Sequence, residues 1–142
     1  MTPEYTEGTR QGAQGVELAW RLWQAPRPSS SLLLVHGLGE HSGRYEPVAR
    51  VLAENGTSVF TYDLRGHGRS EGPRGDVDAF PRFLEDLLGM EEEMLHRVPE
   101  PGPRFLMGHS LGGLMVIRRL QVFRGPFAGA VLSAPWLATP LP

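Results

Sequence analysis

The sequence predicts an α/β fold in which a mostly parallel sheet is flanked by helices on both faces. Three observations carry this expectation. Strand-like and helix-like segments alternate through most of the chain. One strand-like run, Leu32-Leu33-Leu34-Val35, is apolar at every position, as a strand covered on both faces must be. His36, Asp63, Ser110 and Ser133 each follow a strand-like run, at the carboxyl ends where parallel sheets collect their chemistry.

Taken in order, Val16 to Trp23 sets Val16, Leu18, Trp20 and Leu22 against Glu17, Ala19 and Arg21. This period of two predicts a half-exposed strand, paired as a hairpin with Tyr5 to Arg10. The Pro- and Ser-rich stretch from Ala25 to Ser30 is a loop, Leu32 to Val35 is the next strand, and His36-Gly37-Leu38-Gly39 ends it. Tyr45 to Glu54 is expected to be a helix, with Pro47 in its first turn, Val48, Val51 and Leu52 sharing a face, and Asn55-Gly56 as the stop. Ser58 to Tyr62 returns to strand, and Asp63 to Gly75 is a Gly- and Arg-rich loop. Asp78 is the expected cap of a helix carrying Phe80, Phe83, Leu84, Leu87, Leu88, Met94 and Leu95. In that helix Glu91-Glu92-Glu93 should face water, and Pro99 should end the segment. Phe105 to Met107 then reads as strand, Leu111 to Val122 as helix and Phe127 to Leu132 as strand.

With 142 residues, 40% of them apolar and 21% charged, the chain has room for a single domain with a real core. A net charge of −2 and a scattered set of basic residues, all Arg, argue against nucleic acid, which demands a clustered positive surface. The absence of Cys excludes disulfides, zinc-thiolate sites and cysteine nucleophiles, and the absence of Lys excludes Schiff-base chemistry and a Walker lysine. No apolar run is long enough to span a bilayer, and the first residues lack the basic start and apolar run of a signal peptide. The expected location is therefore cytoplasmic, with no transmembrane segment, transient contact with a membrane surface at most, and no metal or organic cofactor.

Gly108-His109-Ser110-Leu111-Gly112 carries the chemistry. It sits between a strand and a helix, with glycines flanking the serine because such a turn crowds the backbone and forces strained dihedrals. Ser110 is the expected nucleophile. Acyl transfer also needs donors for the developing oxyanion. The backbone N–H of Leu111 is the natural first donor, and the His36-Gly37-Leu38-Gly39 loop offers the N–H of Leu38 as the second.

Three blocks in order carry a family resemblance: His36-Gly37-Leu38-Gly39-Glu40-His41-Ser42-Gly43-Arg44-Tyr45, Tyr62-Asp63-Leu64-Arg65-Gly66-His67-Gly68-Arg69-Ser70-Glu71-Gly72, and Gly108-His109-Ser110-Leu111-Gly112-Gly113. Together they resemble the monoacylglycerol lipase and lysophospholipase branch of the α/β-hydrolase superfamily, from about Val16 to Pro135. The resemblance implies an α/β-hydrolase sheet and a serine hydrolase acting on lipid-like carboxylic esters, and it matches only the N-terminal half of such an enzyme. Residues 1–142 are thus expected to form a single partial domain. The cap and the segments bearing the acid and the base are expected to be absent, since no Asp, Glu or His follows Leu111.

Other residues in the blocks have quieter expected roles. His36 is read as structural, at the oxyanion loop, and His109 as packing away from Ser110. Asp63, Arg65 and His67 should stabilise a tight turn through side-chain to backbone bonds. Glu40, His41 and Arg44 should fix the oxyanion loop by an ion pair, with Tyr45 and Trp136 as core or rim. Two alternatives stand beside the ester hydrolase. One is a catalytically inactive, truncated α/β-hydrolase module that acts in binding or within a complemented assembly. The other is an esterase with a rearranged Ser110–His36 dyad. Ending the sheet at Phe127 to Leu132 would also leave an apolar edge open to pairing with another chain.

Overall fold

In the computed structural model, which describes residues 1–99, 102–123 and 125–138, strand and helix alternate as the sequence pattern requires. Strands β1 (Glu4–Gln11) and β2 (Glu17–Gln24) form an antiparallel hairpin around a short 3-10 turn at Ala13–Gly15. The chain then runs through β3 (Ser30–Val35), a 3-10 turn at Ser42–Tyr45, α1 (Glu46–Glu54), β4 (Thr57–Tyr62) and α2 (Phe80–Arg97). It continues through β5 (Arg104–His109), α3 (Leu111–Val122) and β6 (Phe127–Ser133). One six-stranded sheet results, in the order β1-β2-β4-β3-β5-β6. β4, β3, β5 and β6 are parallel neighbours, and only β1 and β2 run antiparallel.

Alternation along each strand divides the core between two faces. Leu33, Val35, Phe60, Tyr62 and Leu106 point to the face covered by α2 and α3, where they meet Phe83, Leu87, Met90, Met94, Met115 and Val116. Leu32, Leu34 and Val59 point the other way, with Trp23, and meet Ala49 and Ala53 of α1. Period-two alternation inside an all-apolar run is what doubly covered strands produce.

The structure refines the reading of α1 and corrects two expectations about α2. In α1 the buried positions are Ala49 and Ala53, while Val48 and Val51 are exposed: the small residues let the helix lie close to the sheet, so its larger neighbours turn outward. Asp78 does not cap α2. The cap position is Ala79, and Asp78 instead faces Arg82 at 3.8 Å across the first turn. Glu91 does not face water but is 6% exposed, held by Arg119 of α3 through Nε–Oε1 at 2.5 Å and an NH2–Oε2 bond of 2.8 Å. A second buried pair joins Arg65, just after β4, to Asp86 of α2 at 2.6 and 2.9 Å. Arg65 also donates to the Ala13 carbonyl, and Asp86 accepts from the Ala13 N–H, so this pair fastens the β1–β2 turn to α2. In both pairs the carboxylate and guanidinium meet through two bonds, the geometry in which burial of opposite charges is best compensated.

β6 is the edge. Val131 and Leu132 are 52% and 42% exposed, and no helix among the described residues covers the strand's outer side. Among the described residues no helix is long and apolar enough to cross a membrane. Nor does any group of His, Asp or Glu among them have the arrangement of a metal site.

Candidate active site

β5 delivers the chain to Ser110, and α3 begins at the next residue, so the turn between them is one residue long. That economy forces Ser110 to φ 54° and ψ −116°, a backbone conformation that side-chain-bearing residues avoid. Three backbone bonds over-determine it. The Ser110 N–H donates to the Ser133 carbonyl at 3.0 Å, and the Ser110 carbonyl accepts from Leu114 N at 3.1 Å and from Trp136 N at 2.9 Å.

The flanking glycines are explained by close approach. A Cβ at Gly108 would strike the backbone of Gly112 and Gly113. One at Gly112 would strike the carbonyl oxygens of Val35 and, at 2.6 Å, His36, so α3 could not start against the end of β3. Ser110 is therefore held at the carboxyl edge of the sheet, at the N-terminus of α3. There the first backbone N–H groups of the helix lack intrahelical partners and the helix dipole favours negative charge. Leu111, the first residue of α3, supplies one such N–H.

The loop after β3 comes to the same point. A Cβ at Gly37 would lie 3.0 Å from the Ser110 Cβ and 3.1 Å from the His109 carbonyl, which puts this loop directly against the serine turn. Leu38 follows, with its side chain 51% exposed. The structure thus brings the loop that carries Leu38 against the turn that carries Ser110 and Leu111.

His36 anchors the loop from beneath. Its Nδ1 lies 2.7 Å from the Gly37 carbonyl and its Nε2 accepts the Leu64 N–H at 3.0 Å, which fixes a neutral ring with the proton on Nδ1. Burial disfavours its charged form and pushes its pKa down to about 4. With both nitrogens engaged, His36 has no free lone pair for Ser110, and the Ser110–His36 dyad is excluded.

The next loop is tied in through Asp63. Its carboxylate accepts from the Ser42 N–H and hydroxyl, both at 2.7 Å, and from the Arg69 N–H at 2.8 Å. Burial alone would raise this carboxyl's pKa, and the three donors bring it below the ordinary value. Asp63 thereby joins the loops after β3 and β4, and the expectation of side-chain to backbone bonding holds for it. It holds for His67 too, whose Nδ1 bonds the Arg65 carbonyl at 2.9 Å.

The expected Glu40–His41–Arg44 ion pair takes a different form. His41 is exposed, and Arg44 reaches Glu40 only at 4.0 Å from a side chain 70% exposed. Glu40 is held instead by the Tyr45 hydroxyl at 2.7 Å and faces His109 Nε2 at 3.6 Å. Sequence reasoning missed both contacts, although Tyr45 and His109 lie inside the motif blocks that it singled out. None of the five histidines is bonded to the Ser110 hydroxyl: His36, His67 and His109 are engaged as described or with Ser133, His41 is exposed, and His96 lies in the last turn of α2.

Residues 26–142 match the Hydrolase_4 family, described as serine aminopeptidase, S33. The chain is 43% identical to human monoglyceride lipase over 124 residues, which is 87% of this chain and 41% of the relative. Among solved structures, a thermostable carboxyl esterase from Bacillus coagulans in complex with glycerol superposes with a TM-score of 0.81 at 25% identity, over 90% of this chain and 43% of that one. A soluble variant of monoglyceride lipase from Saccharomyces cerevisiae, in complex with a substrate analogue, gives 0.79 at 25% identity, over 95% of this chain and 45% of that one. The chain spans about four-tenths of the length of the curated relative. It belongs to the Hydrolase_4 family, serine aminopeptidase S33, of α/β-hydrolase fold, and within that fold it is similar to the monoglyceride lipases.

Proposed function

We propose that this chain forms the nucleophile half of a serine ester hydrolase acting on lipid-like carboxylic esters of the monoacylglycerol or lysophospholipid class. The observation that carries the proposal is the strained, over-determined turn at Ser110, together with the N-terminus of α3 and the Leu38 loop beside it. Strain of this kind persists only where surrounding structure enforces it, and it clusters at functional sites. The similarity to monoglyceride lipases supports the choice of a lipid ester.

In the proposed reaction the Ser110 oxygen attacks the ester carbonyl carbon. The carbonyl oxygen becomes an oxyanion held by the Leu38 and Leu111 N–H groups, and the alcohol leaves with a proton. Water then hydrolyses the acyl-serine. The proton of Ser110 must pass to a base, and no described histidine is placed to take it. The base and its orienting acid are therefore proposed to lie outside residues 1–142, as is the cap, so that these residues form one partial domain. A cytoplasmic setting belongs to the same proposal. No cofactor enters the chemistry.

The lack of a base beside Ser110 is also what favours the second reading, a catalytically inactive module that binds ligand or partner through the same crevice. Hydrolysis of a short-chain monoacylglycerol, measured with imidazole added as an external base, separates the two. The enzyme reading expects turnover that rises with imidazole and is lost in Ser110→Ala. Turnover equal in the two chains at every imidazole concentration would leave only the binding reading.

A further inference from the structure

The Glu40 carboxylate occupies an unusual place. Its side chain is only 10% exposed, two residues beyond Leu38, and one of its oxygens lies 3.5 Å from the position a Cβ would take on Gly37. A buried carboxylate is costly unless donors surround it. Here the Tyr45 hydroxyl, at the head of α1, donates to Oε2 at 2.7 Å, and His109 Nε2 stands 3.6 Å from Oε1. His109 immediately precedes Ser110.

The opposite edge of the His109 ring continues the connection. Nδ1 lies 3.0 Å from the Ser133 hydroxyl and 3.1 Å from the Ser133 carbonyl, the same carbonyl that accepts the Ser110 N–H. Two proton arrangements satisfy this geometry. In one, the Ser133 hydroxyl donates to Nδ1 and a neutral ring presents Nε2–H to Glu40. In the other, Nδ1–H donates to the Ser133 carbonyl. In both, the ring stands between the Glu40 carboxylate and Ser133. A run of side-chain contacts thus leads from Tyr45 through Glu40, across 3.6 Å to His109, and on to Ser133, linking the loop that carries Leu38 to the turn that carries Ser110 and Leu111.

We infer that Glu40 is a positioning residue for the oxyanion site: bridging Tyr45 and His109, it sets the spacing between the Leu38 and Leu111 N–H groups. This rests on the reading of Ser110 as nucleophile. Glu40 touches neither the reacting atoms nor the oxyanion. Its effect is to keep two donors on separate loops at a fixed separation, and misplacement of such groups by about 1 Å lowers rates on the order of a hundredfold. Arg44, at 4.0 Å and largely exposed, contributes little to holding the carboxylate.

The test is the kinetics of Ser110 phosphonylation by a long-chain fluorophosphonate in imidazole buffer. It compares the full 142-residue chain with Glu40→Gln, Tyr45→Phe and Ser110→Ala, and a urea melt of each reports folding. Glu40→Gln keeps an acceptor for Tyr45 but removes the charge that faces His109. Its saturating rate is expected to fall about tenfold or more, a partial share of the misplacement penalty, with the half-saturating concentration within about twofold. Tyr45→Phe removes one hydroxyl only, so it keeps the test decisive if Glu40→Gln fails to fold. Its rate is expected to fall in the same direction, severalfold. A merely structural role would lower the urea midpoint and leave the saturating rate of the folded chain unchanged, which overturns the inference while the nucleophile reading stands. An unlabelled wild-type chain, or labelling that survives Ser110→Ala, overturns the nucleophile reading and the inference with it.

Discussion

Replacing Ser110 by glycine is expected to stabilise the fold while abolishing its chemistry. At φ 54° and ψ −116° the Ser110 Cβ is held in a region that costs a side-chain-bearing residue about 1–3 kcal/mol, and glycine pays none of it. Against this, glycine adds about 0.4–1 kcal/mol of conformational freedom to the unfolded chain. The difference is a net gain of about 1 kcal/mol, equivalent to a rise in melting temperature of roughly 3–5 °C for a domain of this size. Ser110→Ala keeps the Cβ and hence the strain, so its stability should stay within about 0.5 kcal/mol of the parent. It is the proper reference. Urea unfolding followed by the fluorescence of Trp20 and Trp23, both buried, gives the three midpoints side by side. A glycine variant no more stable than the alanine variant would refute the claim that strain is stored at this turn.

Further substitutions test the scaffold. Glu91→Ala should cost about 3–5 kcal/mol, because it leaves the Arg119 guanidinium buried without its partner, whereas Glu91→Leu combined with Arg119→Met should recover most of that loss in the same urea assay. Gly112→Ala should prevent α3 from seating against β3 and leave little folded protein by circular dichroism, since the new methyl would meet the Val35 and His36 carbonyl oxygens. Stability should also fall in acid on account of His36. Its pKa is lowered to about 4 in the fold, against about 6.5 in the unfolded chain, so the unfolded state binds the extra proton first. The stability it confers is fully present above about pH 6.5 and is lost as pH falls toward 4, by about 3 kcal/mol in all. The loss of urea midpoint between pH 7 and pH 5 should shrink in His36→Gln, and an identical pH profile for the two chains would contradict the assignment.

The parts of this fold that can be read along the chain are those fixed by local pattern. α3 spans Leu111–Val122, as the apolar run after the serine motif indicates, and β3, β4 and β6 fall within two residues of their expected bounds. The strand ends also gathered Leu38, Ser110 and Leu111 at one edge, because parallel strands of similar length in a common register must end together. Pattern failed where a partner lies far away in sequence. Glu91 looks like part of a solvated acidic run until Arg119 packs against it from the next helix, and Asp86 looks like a polar position until Arg65 and Ala13 enclose it. In α1 the shared face of Val48, Val51 and Leu52 does not say which face is buried: close packing on the sheet selects the small side chains of Ala49 and Ala53. Glu40 is the instructive case at the site, since its motif was visible and its partners Tyr45 and His109 were not.

Ser110 is proposed as a positioned nucleophile, with Leu38 and Leu111 as its oxyanion donors and no histidine beside it among the described residues. Intact-mass analysis of the purified chain after exposure to a fluorophosphonate, across an imidazole titration and with Ser110→Ala as control, tests it most directly. The account predicts a single adduct that maps to Ser110, forms slowly without imidazole, accelerates as imidazole is added and is absent from the alanine variant. A folded chain that gains no adduct at any imidazole concentration, or an adduct that persists in Ser110→Ala, would contradict it.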